Sequence, residues 1–447
     1  MKKSFKNSKA VLPLHILLLT ACLKWLFEGV WGQPFLEVLM LTCGLGLAVS
    51  RRGIKVNKIS VVWVLYIINI FFSVIFHDPS IGRTGRVLVM IEITCFLLFE
   101  KYDQLKYPQI YDFIIKLAFF YGFFVLIQMI FKERFNSVYF PTLIQNYQKV
   151  ANHYYRQGYF FGLIFNPHEI AYLLAVAFVA LVLWQVISRK LELVRGLGCV
   201  VLLALMFLPQ KKGVIALSMV SLFLVICVLY ANRKHWIRII GLILLVSIVS
   251  FAFFQYIKAH PDSVLFRRII QFLEKLYSGQ NTDSGRGPLQ QFAIEEFNKH
   301  KLFGIGWRKF NSLTTSVYGY DFGHEVNFDY LQWLCETGII GFIMNIIPVL
   351  VTLGRTLLVC AKYVRNEKDL RIKWSVSLAI FSQFFTVMYA FIEIPFYDIL
   401  VFAFYILSCI VINAAYLTYV KRRAVHGSEI LPAAQGIIWK TNQPDFL

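Results

Sequence analysis

Twelve apolar runs constrain this chain more than any other feature of its sequence. They lie at about 11–31, 34–49, 59–76, 86–99, 111–131, 168–187, 196–208, 214–230, 237–257, 330–353, 374–392 and 396–419. A helix crossing a bilayer upright needs about 20 apolar residues, and several of these runs are shorter, so their boundaries are loose. Hydrophobic residues make up 58% of the 447 and charged residues only 16%, against roughly 25% charged in a soluble domain. The expected fold is therefore an all-α polytopic membrane protein with about 12 transmembrane helices. The first run follows MKKSFKNSK with no small-residue cleavage site after it, so it reads as a retained span and not a signal peptide.

Lys and Arg cluster in alternate connections: MKKSFKNSK, RRGIKVNK, EKYDQLK, SRKLELVR, NRKHWIR, the 354–373 loop and the C-terminal tail. Short links such as EGVWGQP and FIEIPFYD carry none. Cytoplasmic loops are the basic ones, so both termini are expected in the cytoplasm. The organisation that follows is nine spans over 1–257 with an outer loop at 132–167, a long extracytoplasmic loop at 258–329, three spans over 330–420, and a cytoplasmic tail at 421–447. Both long polar loops face outward in this topology. No ATP is available there, so an enzyme working on that face needs a substrate that is already activated, such as a lipid-linked diphosphate.

The polar residues concentrate in SGRGPLQQFAIEEFNKHKLFGIGWRKF (284–310) and GHEVNFDYLQWLCETGIIGF (323–342). Pro288 suits the first turn of a helix. Leu289, Phe292, Ala293 and Phe297 share one face, with Glu295, Glu296 and Lys299 opposite. A second helix is expected to open near His324, placing Glu325 and Asp329 one turn apart. Arg forks and Lys point charges bind phosphate oxygens, which makes Arg156, Lys211, Lys212, Arg286 and Arg308 candidates; the competing reading is snorkelling to lipid headgroups. Lys211 and Lys212 stand out because PQKKG places them on the face that should be poor in Lys. Transfer to a sugar hydroxyl needs a base and stabilisation of the departing charge. His324, Glu325 and Asp329 are candidates for the base, against a competing role in capping a helix. His168, Glu169 and Glu393 are weaker candidates of the same kind. Trp307, Tyr154 and Tyr155 offer surfaces for stacking on sugars. Lys24, Glu92 and Lys116 would suit a transport path, but no internal repeat accompanies them. The sequence contains no Walker motif, no GxGxxG and no His/Cys metal set, and the eight cysteines show no CxxC spacing, so neither a metal nor a cofactor is expected.

Three patches resemble the O-antigen polymerase/O-antigen ligase superfamily of bacterial membrane glycosyltransferases. RQGYFFGLIFNPHEIAYLL (156–174) is similar to the family's Arg, Gly and Asn-Pro-Asn at the head of a span, with His168 in place of the last Asn. LPQKKGVIAL (208–217) sits where the family often has Ser-Arg-Gly. Gly285-Arg286, His300-Lys301-Leu302, Gly304-Ile305-Gly306, Leu331-Gln332, Glu336-Thr337-Gly338 and Ile339-Ile340-Gly341 follow its third pattern in order. Ligase-type members carry His-Asn just before Leu-Gln. That histidine would fall near Asn327 here, with His324 one turn earlier, while Glu325 and Asp329 match the acids of polymerase-type members.

The resemblance implies a GT-C-like, metal-independent glycosyltransferase of the bacterial plasma membrane. It implies that undecaprenyl-diphosphate-linked repeat units are polymerised into an O-antigen or capsule. Arg286, Arg156, Lys211 and Lys212 would hold the diphosphate, and Glu325 or His324 would act on the acceptor hydroxyl. The implied partners are the lipid-linked oligosaccharide, the bilayer, a chain-length regulator and a flippase, with no nucleic acid. A ligase, a lipid-oligosaccharide flippase and an assembly partner without chemistry remain as alternatives.

Overall fold

The computed structural model describes residues 14–15, 17–23, 58–77, 81–99, 104–164, 166–190, 192–230, 286–318 and 324–429, with positions 255, 274 and 278 besides. Among them there is no strand. The helices are α1 (Lys58–His77), α2 (Ile81–Phe99), α3 (Tyr107–Ile130), α4 (Lys132–Tyr139), α5 (Gln145–Arg156), α6 (Pro167–Ser188), α7 (Leu193–Phe207), α8 (Lys212–Tyr230), α9 (Arg286–Lys299), α10 (Lys309–Tyr318), α11 (Asp329–Lys362), α12 (Leu370–Tyr389) and α13 (Ile399–Glu429).

Six described segments are long and apolar enough to cross a membrane: Ile59–His77, Gln104–Ile130, Pro167–Ser188, Lys212–Tyr230, Asp329–Asn366 and Ile399–Arg423. They match six of the twelve expected spans, and the chain is a multi-pass membrane protein. The run at 34–49 falls outside the described residues, as do all of 237–257 except position 255 and most of 11–31. Three others are helical without meeting the same measure. α7 has only 15 residues, α2 carries Arg83, Arg86 and Glu92, and α12 buries Gln383 and several hydroxyls.

The segment Ile399–Arg423 is almost wholly buried, which makes α13 the centre of the bundle. α12 packs on it, α6 packs on α12, and α3 and α7 pack on α6. On the other side α11 lies against α1. That contact is partly polar: Asn69 Nδ2 donates to Asn345 Oδ1 at 2.9 Å, and Trp63 Nε1 donates to Thr352 Oγ1 at 3.1 Å. Inside apolar surroundings such pairs satisfy groups that no solvent reaches.

α11 differs from the expectation at both ends of its first segment. It opens at Asp329, not near His324, because Asn327 adopts a left-handed backbone (φ 55°) that a helix excludes. It then breaks at Gly338, whose φ of 65° and ψ of −171° are non-helical. The HKLFGIG loop crosses this break. Ile339 N and Ile340 N donate to Lys301 O and Leu302 O at 2.9 and 3.3 Å. In return Ile305 N and Gly306 N donate to Cys335 O and Glu336 O at 3.1 and 2.8 Å. Every peptide group released by the break at these positions thus finds a partner in the loop. The approach needs two glycines, since a Cβ on Gly304 would lie 2.3 Å from Glu336 C and one on Gly338 would lie 2.3 Å from Leu302 C.

Candidate active site

The ends of many helices gather on one face of the bundle. The C-terminus of α1, the start of α6, the α7–α8 turn, the start of α9, the start of α11 and the α12–α13 turn all contribute side chains there. Part of the 132–167 loop is folded down on this face. Gln128 of α3 accepts from Phe161 N and Gly162 N at 2.7 and 2.8 Å, and Tyr139 Oη donates to Leu163 O at 2.8 Å. The PQKKG turn docks on the same loop. Gln210, at φ 52°, donates through Nε2 to Gly158 O at 2.6 Å, and Phe160 N donates to Leu208 O at 3.2 Å. Two of the three patches singled out in the sequence therefore touch, although 52 residues separate Gly158 from Gln210.

A cationic centre forms where these turns meet α9 and the α12–α13 turn. Arg286 Nη2 donates to Glu393 Oε1 at 2.7 Å and its Nη1 donates to Ile392 O at 2.8 Å. His168 Nδ1 lies 3.3 Å from the same Glu393 oxygen and 3.0 Å from Tyr389 Oη. Lys211 Nζ lies 2.6 Å from His168 Nε2 and packs over the Tyr159 ring at 4.6 Å. A lysine ammonium has donors only, so Nε2 accepts and the imidazole proton sits on Nδ1, facing Tyr389 and Glu393. Gly213 permits this assembly, since a Cβ there would stand 2.5 Å from Ile392 Cδ1. Burial pushes the Glu393 carboxyl above the ordinary carboxylate range, while Arg286 and Lys211 pull the other way. Lys212 and Arg156 are exposed, Arg156 at the end of α5.

A second centre is built around two glutamates. Glu325 Oε2 accepts from Gln332 Nε2 at 2.6 Å, and Glu325 Oε1 accepts from Asn311 Nδ2 at 3.1 Å and Arg308 Nη2 at 3.5 Å. Glu336 is fully buried. It accepts from Arg308 N at 2.7 Å, Tyr397 Oη at 2.7 Å, Phe310 N at 3.2 Å and Gln332 Nε2 at 3.3 Å. These donors satisfy a carboxyl that no solvent reaches, and Arg308 sits beside it at a left-handed φ of 57°. Arg308 also donates through Nη1 to Tyr397 O at 3.2 Å. Burial and the neighbouring Arg86 lower its pKa, and Glu325 and Glu336 oppose that shift.

The α12–α13 turn, FIEIPFYD, joins the two centres. Glu393 serves the first and Tyr397 the second. Asp329 clasps the turn between them, its N–H donating to Ala390 O at 2.9 Å and its Oδ2 accepting from Phe396 N at 2.8 Å.

The expected site residues divide accordingly. Arg286 and Lys211 come together through Glu393 and His168, and Arg308 pairs with Glu325. Asp329 is fully buried and its contacts are those of a clasp on the α12–α13 turn. Asn327 forms a turn, donating through Nδ2 to Glu325 O at 3.2 Å. Trp307 is only 1% exposed and stacks on Tyr397 at 5.5 Å, which corrects the expectation of a sugar-facing ring. His324 is half-buried and exchanges hydrogen bonds with Thr314 through its backbone, at 3.0 Å each way. Burial pushes its imidazole below the ordinary range, the charge of His153 adds to that, and Glu325 opposes it. Sequence reasoning ranked His168 and Glu393 low and passed over Tyr389. The signal that could have found them was the Asn-Pro-His break heading a span and the isolated acid in a link free of Lys and Arg.

Residues 197–346 match the family model described as O-antigen ligase. The match contains Lys211, Arg286, Arg308, Glu325 and Glu336, and ends before the α12–α13 turn. No curated protein matches the chain.

Proposed function

We propose that this protein polymerises undecaprenyl-diphosphate-linked repeat units on the outer face of a bacterial plasma membrane, a reading that the match of residues 197–346 to a family model described as O-antigen ligase supports. The observation that carries the reading is the pairing of a cationic centre with a carboxylate centre on one helix-end face. Arg286 is about one-third exposed and Lys211 is half-buried, so both are placed to meet an anion. Glu325 has 13% side-chain exposure, enough to meet a hydroxyl at the mouth of the site.

In the reaction we infer, a hydroxyl of the incoming repeat unit attacks the anomeric carbon of the growing chain. The bond from that carbon to the diphosphate oxygen breaks. The hydroxyl proton passes to Glu325, and the electron pair leaves on undecaprenyl diphosphate, whose charge Arg286 and Lys211 stabilise. Such fixed charges act without reorganising during the reaction. Arg308 steadies Glu325, and Lys212 and Arg156 extend the positive field at the rim. The orientation rests on the opposite face of the bundle, where Lys106, Arg189, Arg195, Arg365, Arg371, Lys373 and Arg422 gather at helix ends, as expected of a cytoplasmic side. A ligase would run the same chemistry onto another acceptor.

Deleting the gene in its native host and running lipid-linked and surface glycans on a gel separates the readings. A polymerase leaves single-repeat material in place of a ladder, and an Arg286→Ala complement does not restore the ladder. Full-length polymer stranded on its lipid carrier would show a ligase instead. An unchanged ladder would refute both.

A further inference from the structure

The cationic centre contains a charge that the transfer reaction does not need. Glu393 lies in the α12–α13 turn, outside the matched family region, and its side chain is 10% exposed. One of its oxygens is shared between Arg286 Nη2 at 2.7 Å and His168 Nδ1 at 3.3 Å. His168 in turn reaches Lys211 through its other nitrogen at 2.6 Å. One carboxylate thus ties together cations from α9 and the α7–α8 turn by way of the first turn of α6. His168 fits this position because neutral imidazole donates on one side and accepts on the other. An Asn amide could do the same, but a protonated imidazole would set an N–H against the Lys211 ammonium.

The remaining groups around Glu393 are known. Tyr389 stands one turn before it on α12, Asp398 follows in its own turn, and Glu393 O is 3.3 Å from Asp329 N. Two of the five N–H donors of Arg286 are committed, to Glu393 Oε1 and Ile392 O, which leaves three for a ligand. Without a counter-charge between them, Arg286 and Lys211 would repel each other. A resident carboxylate keeps them together, but it also opposes any anion that arrives.

We propose that Glu393 is the built-in counter-ion of the diphosphate site, a positioning residue that holds Arg286 and, through His168, Lys211 in register while weakening the site's grip on the lipid diphosphate. This rests on the diphosphate reading given above. Its consequence is release: undecaprenyl diphosphate leaves as product from the same cations that stabilise it as leaving group, and a site without the carboxylate would hold it longer.

The test uses the full-length protein in lipid nanodiscs with farnesyl diphosphate as probe, followed by isothermal titration. Glu393→Gln keeps an oxygen for Arg286 and removes the charge. It is expected to bind the probe roughly fivefold or more tighter than wild type, the scale of one partly screened charge at contact distance. Glu393→Asp keeps the charge and is expected to bind no tighter than wild type. Equal or weaker binding by a Gln variant with wild-type thermal stability overturns the proposal, and so does tightening by the Asp variant, which also decides the matter if the Gln variant does not fold. A different result bears on the underlying reading: wild type that fails to bind the probe, or binds it as well after Arg286→Ala, removes the diphosphate site itself.

Discussion

Replacing Gly338 with Ala tests the crossing that carries Arg308 into the site. The glycine has φ 65° and ψ −171°, a region that other residues occupy only at a cost of about 1–3 kcal/mol. The new Cβ would also stand 2.3 Å from Leu302 C and O and 2.5 Å from Phe303 N. These are backbone atoms with no rotamer to change, so the HKLFGIG loop must move away. Moving it breaks the four crossing hydrogen bonds described above, each contributing about 0.5–1.5 kcal/mol. The total is roughly 3–9 kcal/mol, comparable with the whole stability of an ordinary domain at about 5–15 kcal/mol. Opening the crossing locally costs less than unfolding the bundle, since α12 and α13 do not take part in it. The expected outcome is a protein that still inserts, unfolds at a lower temperature and makes no glycan ladder, because Arg308 N and Phe310 N leave Glu336. Gly354→Ala in the same helix is the control. Nothing lies within 4 Å of its Cβ position, and Ala is favoured over Gly in a helix by about 0.5–1 kcal/mol. Unfolding of detergent-purified protein and the ladder on a gel are read together for both variants. A Gly338→Ala protein with wild-type melting and a full ladder would refute the argument.

The two base candidates separate by substitution. Glu325→Gln is expected to abolish the ladder at normal protein level, whereas His324→Gln keeps it. The His324 substitution acts on stability instead: the folded imidazole titrates below its ordinary value of 6.5, so stability is full above that pH and falls as the pH drops through the folded value. Melting followed from pH 7.5 to 5 should therefore decline less steeply in His324→Gln, and an unchanged slope would show that this imidazole is not the group responsible. Asn327→Gly is expected to keep both melting and ladder while Asn327→Val loses both, because a left-handed φ of 55° asks for backbone freedom and not for an amide. Loss of the ladder in the Gly variant would return Asn327 to substrate contact.

Legibility followed the physics of each signal. The apolar runs and α9 were readable because burial imposes a period. Leu289, Phe292 and Ala293 are buried, and Glu295 and Lys299 are exposed, as their spacing predicts, while Glu296 and Phe297 at the boundary of the two faces are both half-buried. The crossing at Gly338 was half readable. Gly-x-Gly and Glu-x-Gly stood out as a pattern, but that one passes through the other depends on an approach between residues about thirty positions apart in the chain. The start of α11 was misread for a related reason. His324, Glu325 and Asp329 have the composition of a first helical turn, yet Thr314 and Gln332 hold 324–326 in a non-helical path, with Val326 N donating to Gln332 Oε1 at 3.2 Å. The α12–α13 turn was the least readable element. Glu393 and Tyr397 are single polar residues in an apolar link, and only tertiary contacts give them partners.

That turn also sets how the two centres depend on each other. Glu393 and Tyr397 are four residues apart with Pro395 between them, and Asp329 fastens the turn by side chain and backbone. A displacement large enough to release Arg286 from Ile392 O and Glu393 therefore shifts Tyr397, whose carbonyl accepts from Arg308 and whose hydroxyl donates to Glu336. Arg286 of the first centre and Arg308 and Glu336 of the second are thus all bonded to one short segment. Transfer between two lipid-borne substrates requires both ends of the reaction to be held at a fixed spacing, because error at either end misaligns the attack. A link of nine residues between two buried helices, 390–398, suits such a spacing better than the long loops do.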